Sequence, residues 1–226
     1  MSTYILNIET ATTNCSVALS KNGKTIALKE DNDRSYSHAE RLHVYIESVL
    51  KEAHISATDL SAIAVSKGPG SYTGLRIGVS SAKGLSFALD KPLISVSTLM
   101  ALAYQVELQD GYIVAMLDAR RMEVYSAIFD TNYRQIRETQ AEILEASSFA
   151  EYLEKGKVYF IGNGVEKTKT LIQHPNAAFI EDRLPSAKEM SLLAFNKYKI
   201  SNIEDVAYFE PYYLKDFVAL KPKPKS

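Results

Sequence analysis

Residues 4–20 read YILNIETATTNCSVALS, and residues 112–129 read YIVAMLDARRMEVYSAIF. Both stretches begin with an apolar run that ends in an acidic residue, Glu9 in the first and Asp118 in the second. A turn and a second apolar run then follow in each stretch. The same pattern at two places in one chain predicts a duplicated α/β architecture, with two related lobes and a cleft between them.

A third strand and a helix follow the first stretch. The turn Asn22-Gly23 precedes the apolar run TIALKE, and Asn-Gly is the typical turn of a two-residue hairpin because both central residues have positive φ. Ser37 and Glu40 fit a capping box, which predicts a helix that begins there and ends near Ala53. The chain therefore starts with three antiparallel strands and a helix.

The rest of the chain completes this order and then repeats it. A buried strand over 62–66 and a helix over about 73–89 give the first half the order β-β-β-α-β-α. The second half follows the same order, with a helix-like segment SSFAEYLEK at 147–155 and further helices near 165–173 and 186–198. We predict an N-terminal lobe at 1–108, a C-terminal lobe at 109–216 and a flexible basic tail at 217–226.

The composition is that of an ordinary globular protein. The chain has 226 residues, of which 46% are hydrophobic, so it can bury a substantial core. Lysine and arginine total 26 against 27 aspartate and glutamate residues, which leaves a net charge of -1. This balance excludes a global positive field for nucleic acid, so any contact with RNA needs a local patch or a partner.

The single cysteine, Cys15, cannot form an internal disulfide, and no histidine lies near it in sequence to act as a base. We interpret it as a small turn residue. The residues before Glu9 lack the features of a secretory signal, and no apolar run reaches the ~20 residues of a membrane-spanning helix. These observations predict a cytoplasmic protein with no membrane contact.

The glycine-rich stretch KGPGSYTGLRIG, residues 67–78, resembles a phosphate-binding loop only superficially. A Walker loop needs a lysine and a hydroxyl residue after its last glycine, whereas Leu75 and Arg76 follow Gly74 here. The glycine spacing also differs from the dinucleotide fingerprint GxGxxG. The stretch therefore predicts a turn into a helix, with Ser71 or Thr73 as the N-cap.

That helix has one face with almost no side chains, because Gly74, Gly78 and Ala82 recur at steps of four. Each glycine destabilises a helix by up to ~1 kcal/mol relative to alanine, so a compensating contact is expected. Small residues at this spacing let another backbone approach closely. The spacing alone leaves packing within the domain and contact with a second subunit open; our working hypothesis is that this face is exposed to a partner.

Four segments of the chain resemble the bacterial TsaB (YeaZ) family. They are ILNIETAT, HAERLHVYI, KGPGSYTGLRIGVSSAKGL and PYYLKDFVA, and the third is the most specific. The resemblance implies the ASKHA fold of actin, sugar kinases and Hsp70, with duplicated β-β-β-α-β-α lobes. It also implies a role in making N6-threonylcarbamoyladenosine at position 37 of tRNAs that read ANN codons.

The resemblance further implies partners and excludes some chemistry. Members of this family pair with the catalytic paralogue TsaD, and the ATPase TsaE joins them; a homodimer is expected when TsaD is absent, and tRNA is met through the complex. The paralogue binds its metal with two histidines, whereas Thr98 and Leu102 stand at those positions here. No cofactor or metal is therefore expected. A peptidase is disfavoured because HExxH and GxSxG motifs are absent.

Active ASKHA enzymes hold phosphates with glycine-containing turns after the first strand of each lobe. Neither turn here, residues 9–14 or 118–122, contains glycine, which predicts a protein that is not an enzyme by itself. Asp118 fits a metal or water ligand, or an acid that caps a strand. Candidate weak nucleotide contacts are Thr10, Asp118, Gly162 and Gly164.

We therefore predict a non-catalytic activating subunit that presents two helices to its partner. His38, Arg41 and Tyr45 would lie on the outer side of the first helix. The alternatives are a stand-alone ASKHA ATPase or phosphotransferase, and a self-associating protein with no enzyme partner. The predicted partner surface comprises His38, Arg41, Leu42, Tyr45, Gly70, Ser71, Tyr72, Thr73, Gly74, Arg76, Ile77, Gly78, Ser81 and Ala82.

Overall fold

The computed structural model describes residues 2–32 and 38–215 and contains two five-stranded sheets with helices on both faces of each. The predicted α/β architecture with duplicated β-β-β-α-β-α halves is confirmed. The capping residue Ser37 and the predicted tail at 217–226 lie outside the described residues.

The first sheet is built from the N-terminal half of the chain. Its central strand β1 is antiparallel to β2 and parallel to β4, and the order is β3-β2-β1-β4-β5. Asn22 and Gly23 both have positive φ, which confirms the predicted hairpin turn. The elements are β1 Tyr4–Glu9, β2 Cys15–Lys21, β3 Lys24–Asp31, α1 His38–Glu52, β4 Ala62–Ser66, α2 Tyr72–Leu89, β5 Leu93–Val96 and α3 Thr98–Ala103, with a short 3-10 helix at Ala57–Asp59.

The second sheet repeats this arrangement, with β6 in the position of β1. The order β8-β7-β6-β9-β10 matches that of the first sheet, and β6 is again antiparallel to the next strand and parallel to the fourth. The elements are β6 Tyr112–Asp118, β7 Glu123–Phe129, β8 Gln135–Ile143, α4 Ala150–Leu153, β9 Val158–Ile161, α5 Val165–Leu171, β10 Ala177–Ile180 and α6 Ala187–Lys199.

The last helix of each half packs on the sheet of the other half. Leu99 and Leu102 of α3 join the core cluster of β6, β7 and β9, whereas Met190 and Ala194 of α6 join that of β1, β2, β4 and β5. The opposite faces are covered locally, by α1 and α2 on the first sheet and by α4 and α5 on the second. The two lobes therefore share their cores through exchanged helices.

The sequence prediction missed the 3-10 helix at Ala57–Asp59 and three further short elements, namely β5, α3 and β10. The two strands have four residues each and lie at sheet edges, so a short apolar run gives little periodic signal. The segment SSFAEYLEK was predicted as a helix, but only Ala150–Leu153 is helical. Within the described part of the chain, no helix is long and apolar enough to cross a membrane.

Candidate functional site

The small-residue face of α2 is buried against the protein's own first lobe, which contradicts the hypothesis that it is open to a partner. Gly74, Gly78 and Ala82 are all buried, and Ala82 belongs to the core cluster beneath α1 and α2. These three residues cannot form a contact surface for a second protein. The internal-packing alternative is therefore the correct interpretation of the glycine spacing.

The turn between β1 and β2 is what occupies this face. The Thr10 hydroxyl donates to the Gly74 carbonyl at 2.8 Å, and the Ala11 carbonyl accepts the Ser71 N–H at 2.7 Å. A Cβ on Gly74 would overlap the Thr10 carbonyl oxygen, and one on Gly78 would overlap the Thr10 hydroxyl oxygen. The glycines are thus required because two backbone segments meet without space for a methyl group.

Gly70 and Ser71 form the entrance to the same contact. A Cβ on Gly70 would overlap the Ala11 carbonyl oxygen, so this glycine also permits close backbone approach. Ser71 is the N-cap of α2, with its hydroxyl accepting the Gly74 N–H at 3.2 Å, which confirms one of the two predicted caps. Both residues are half-buried and serve the internal contact.

Part of the predicted outer side of α1 also faces inward. His38 is buried, and its Nε2 lies 2.7 Å from the Thr12 carbonyl oxygen. Arg41 forms an ion pair with Asp31 of β3, and Tyr45 packs against the core of the first lobe. Leu42 is fully buried. The placement of His38 on the outside was wrong, whereas Arg41 and Tyr45 are half-buried beside the face of α1 that packs on β2 and β3.

A different stripe of α2 is exposed. Thr73, Arg76, Ser80, Gly84 and Phe87 follow one another at steps of three and four, and all are exposed. We call these five residues the outer stripe of α2. Phe87 is 84% exposed, so its ring is accessible to a partner. Val44 of the adjacent α1 is also exposed.

The C-terminal segment runs along one side of this stripe. The ring of Tyr213 lies 5.1 Å from that of Tyr72, and its hydroxyl accepts from Arg76 Nε at 3.3 Å. Lys83 donates to the carbonyls of Ala207 and Phe209. Tyr72, together with Ile77 and Ser81, is half-buried. The segment therefore contacts one edge of α2, including Arg76, and leaves the rest of the outer stripe exposed.

The turn after β1 is sealed within the protein. Glu9, Thr10 and Ala11 are fully or almost fully buried, and the Glu9 carboxylate accepts the Ala11 N–H at 2.6 Å. Burial raises the pKa of Glu9 to about 7, although the Ala11 N–H and the Ser66 hydroxyl act in the opposite direction. Thr10 was a candidate nucleotide contact, but its hydroxyl is already bonded to Gly74 and it has no path to a ligand.

The start of α6 closes the cleft side of this turn. The Ala187 N–H donates to the Ser16 hydroxyl at 3.0 Å, and Asn14 Nδ2 donates to the Pro185 carbonyl at 2.9 Å. A neighbouring cleft of about 370 Å³ contains four acidic residues and two basic ones, so its charge does not favour phosphate. The charged residues that line it are Glu30, Asp31, Asp182, Arg183, Lys188 and Glu189.

The turn after β6 is held by a lysine instead. Lys167 of α5 forms an ion pair with Asp118 at 2.5 Å and donates to the carbonyls of Arg121 and Glu123. The carbonyl groups of this turn thus surround a cation that belongs to the protein. A phosphate would need N–H groups at such a position, so this turn has the wrong polarity for it. Sequence reasoning missed Lys167, because it lies far along the chain from the turn.

The glycines after β9 have a packing role. Gly162 has a φ of +113°, and a Cβ there would overlap the Met116 carbonyl oxygen. A Cβ on Gly164 would lie 3.0 Å from Val124 and 3.2 Å from Met116. Both glycines are buried against β6 and β7, so the structure does not offer them to a nucleotide. Asn163 between them is exposed and accepts the Asp118 N–H.

Two further predicted positions have structural roles. Thr98 and Leu102, the positions at which the family resemblance led us to look for metal-binding histidines, are buried on α3, and the Thr98 hydroxyl lies 2.6 Å from that of Ser66. Cys15 is buried at the start of β2, and burial raises the pKa of its thiol to about 11. A thiol in this state is a poor nucleophile at neutral pH.

Comparison with known proteins identifies the family. A family model described as TsaD, tRNA N6-adenosine threonylcarbamoyltransferase, matches residues 32–223. The tRNA threonylcarbamoyladenosine biosynthesis protein TsaB of Escherichia coli is 33% identical over 229 residues, covering 97% of this chain and 98% of that protein. The chain belongs to the TsaB family. The TsaB protein of Haemophilus influenzae is 31% identical, with 97% of both chains covered.

Relatives named for the transferase itself match a smaller part. The tRNA N6-adenosine threonylcarbamoyltransferase of Staphylococcus haemolyticus is 38% identical over 123 residues, which cover 48% of this chain and 36% of that protein. The end-to-end match is therefore with TsaB. Among solved structures, YeaZ from Pseudomonas aeruginosa has a TM-score of 0.79 at 28% identity and covers 94% of this chain and all of its own. A second Pseudomonas aeruginosa structure, of an uncharacterized protein with similarity to peptidase YeaZ, has a TM-score of 0.83.

Proposed function

We propose that this TsaB-family chain is a non-catalytic activating subunit in the synthesis of N6-threonylcarbamoyladenosine in tRNA, with TsaD as its catalytic partner. The full-length relatives are named for this biosynthesis. The family model that matches most of the chain is named for the transferase. A non-catalytic relative of an enzyme can stabilise the arrangement in which the enzyme is active. In this proposal the chain contributes a binding surface for TsaD and no catalytic residue.

The closure of both strand-end turns is the observation that supports a non-catalytic role. The turn at residues 9–14 is packed against α2, and the turn at 118–122 surrounds Lys167. Enzymes of this fold need both turns open to phosphate, with backbone N–H groups directed at it. Here the chain uses both turns for its own packing. The glycine-rich stretch supports the first of these closures and is not a phosphate loop.

The outer stripe of α2 is the proposed contact for TsaD. Phe87 and Arg76 are residues of the types that most often anchor protein interfaces, and Val44 on α1 extends the apolar part. The same surface would form a homodimer when TsaD is absent. TsaE would join the assembled pair, and tRNA would be reached through the complex. In this assignment the buried glycines set the position of α2 and make no contact with the partner.

A reconstituted modification assay tests the proposed function. Unmodified tRNA is incubated with TsaD, TsaE and the enzyme that forms threonylcarbamoyl adenylate, with and without this chain, and the modified nucleoside is quantified. We expect modification to depend on the chain. Equal modification in its absence would contradict the proposal.

Two matched variants test the surface. Phe87→Glu should abolish copurification with TsaD while the melting temperature stays within a few degrees, because the side chain is exposed. Leu192→Glu is the control, since Leu192 is an exposed apolar residue on α6. It should copurify as the wild type does. If both variants bind TsaD normally, the outer stripe is not the contact.

Calorimetry tests the alternative of a stand-alone ATPase. The purified chain is titrated with Mg-ATP, and phosphate release is followed in parallel. Because both turns are closed, we expect neither micromolar binding nor turnover by the isolated chain. Binding together with turnover would favour the ATPase and contradict a purely activating role.

A further inference from the structure

Two arginines lie at the tip of the β6–β7 turn in an unusual backbone conformation. Arg120 has a φ of 70° and Arg121 a φ of 48°. This left-handed region is unfavourable for residues with a Cβ and is adopted most readily by glycine and asparagine. The β2–β3 turn of the first lobe uses Asn22-Gly23 for the same purpose. Turn formation alone therefore does not account for two consecutive arginines.

The backbone of this turn is fixed from both sides. The Asp118 carboxylate accepts the Arg120 N–H at 2.8 Å, and Lys167 Nζ donates to the Arg121 carbonyl at 3.0 Å. The Asp118 N–H is bonded in turn to Asn163 at 2.9 Å. The two arginine Cα atoms are thus held in place by contacts from α5 and from the loop before it. A fixed backbone reduces the entropy lost when the side chains bind.

The neighbouring carboxylates are already neutralised. Asp118 is paired with Lys167, and Glu123 is paired with Lys215. Arg120 and Arg121 are exposed, and over residues 2–32 and 38–215 neither guanidinium makes a hydrogen bond or an ion pair. The turn and the residues bonded to it therefore carry a local excess of two positive charges on a chain whose net charge is -1.

We infer that Arg120 and Arg121 bind the phosphodiester backbone of the tRNA substrate. This inference rests on the proposed function, which makes tRNA the polyanion that the complex meets. A guanidinium donates two parallel hydrogen bonds to a phosphate, and it loses less hydration than an ammonium group does. Lys167 is a positioning residue in this scheme, since it holds the turn and its own charge is used by Asp118. The contact adds affinity and orientation and carries no base specificity.

Binding of tRNA to the assembled complex with TsaD tests the inference. The probe is a fluorescein-labelled, unmodified tRNA transcript that reads an ANN codon, followed by anisotropy between 50 and 200 mM KCl. Arg120→Gln combined with Arg121→Gln should weaken binding about tenfold and lower the salt slope by about one for each phosphate that is no longer bound. Arg134→Gln combined with Lys155→Gln removes the same charge near the other end of the strands of the second sheet, since Arg134 precedes β8 and Lys155 precedes β9. That control should stay within about twofold of the wild type.

Two further variants distinguish binding by rigidly held guanidinium groups from binding by positive charge alone. Arg120→Lys with Arg121→Lys keeps the charge and should still lose several-fold in affinity. Lys167→Met keeps both arginines and should lose affinity because the turn is released. Equal affinities of the double glutamine variant and the control pair would overturn the inference, as would full affinity of the lysine variant.

The modification assay separates this failure from a failure of the proposed function. If modification requires the chain but the double glutamine variant binds tRNA normally, only the arginine assignment is wrong. If modification does not require the chain, the proposed function itself is wrong. The double variant should copurify with TsaD in either case, because the turn and the outer stripe lie in different lobes.

Discussion

Glu9 and Asp118 end equivalent central strands, but their surroundings differ. Glu9 is fully buried beneath a turn that packs on α2, whereas Asp118 is exposed and paired with Lys167. The first turn is closed by steric contact between backbones, and the second is closed by a cation. The duplicated halves thus lack an open phosphate site for two different reasons. The first closure makes the turn part of the core, and the second leaves its tip at the surface.

The steric closure of the first turn predicts the largest effect on stability. Gly78→Leu places a large side chain against Thr10, so we expect a loss of about 3 kcal/mol or more and a melting temperature lower by about 10 °C. An exposed glycine face would instead predict a melting temperature close to that of the wild type. Thermal unfolding followed by circular dichroism measures it.

The Thr10 hydroxyl gives this prediction a sharper form. Gly78→Ala should be costly in the wild type but nearly neutral in a Thr10→Ala background, because the overlap is with the hydroxyl oxygen. The methyl group of Gly74→Ala would overlap the Thr10 carbonyl oxygen, so the Thr10→Ala background should not restore the stability of this variant. Equal costs of Gly78→Ala in both backgrounds would show that another contact is responsible.

The buried carboxyl predicts a dependence of stability on pH. The pKa of Glu9 is about 7 in the folded protein against 4.5 for a free side chain, so the folded state binds the proton more tightly. The free energy of unfolding should therefore fall as pH rises from 4.5 to 7, by about 3 kcal/mol from this group. Glu9→Gln should remove this dependence and be more stable than the wild type at pH 8. Urea unfolding of both proteins at pH 5 and pH 8 measures the difference.

The closure of the second turn by Lys167 predicts a smaller loss of stability. Lys167→Met removes one donor from each of two carbonyls and a carboxylate, and the side chain of Lys167 is only 17% exposed. We expect a loss of about 1–2 kcal/mol in urea unfolding. Lys169→Met is the matched control, since Lys169 pairs with Glu181 at the surface and should cost little. Similar losses for both would mean that the turn does not depend on Lys167.

The smallest expected effect is a gain in stability. A methyl group added at Gly84 of α2 would meet no atom within 4 Å other than its chain neighbours and the nearby backbone of its own helix, so Gly84→Ala should stabilise the protein by up to about 1 kcal/mol. The contrast with Gly78 in the same helix isolates the role of the Thr10 contact. A loss of stability in Gly84→Ala would indicate that the outer stripe is covered by the protein itself.

Local signals in the sequence predicted most of the fold. Asn22-Gly23, the capped start of α2 at Ser71 and the repeated strand-turn-strand pattern are all determined by neighbouring residues. The short elements β5, α3 and β10 were missed because four to six residues carry too little periodicity.

The site was harder to predict because its contacts are distant in sequence. Gly74 and Gly78 indicated close backbone approach correctly, but Thr10 lies more than 60 residues away and nothing near the glycines identifies it. Lys167 reaches a turn about 45 residues before it. The helical spacing of Thr73, Arg76, Ser80 and Phe87 is visible in the sequence. It identifies an exposed face of α2 only once the opposite face is known to be internal.

The exchange of α3 and α6 makes the halves mutually dependent. Residues 1–108 alone would leave one face of the first sheet without Met190 and Ala194, and residues 109–215 would leave the second sheet without Leu99 and Leu102. Each fragment would expose an apolar sheet face to water and be prone to aggregation. Mixed together, they should reassemble by complementation, and the intact chain should unfold in a single cooperative transition despite its duplicated plan.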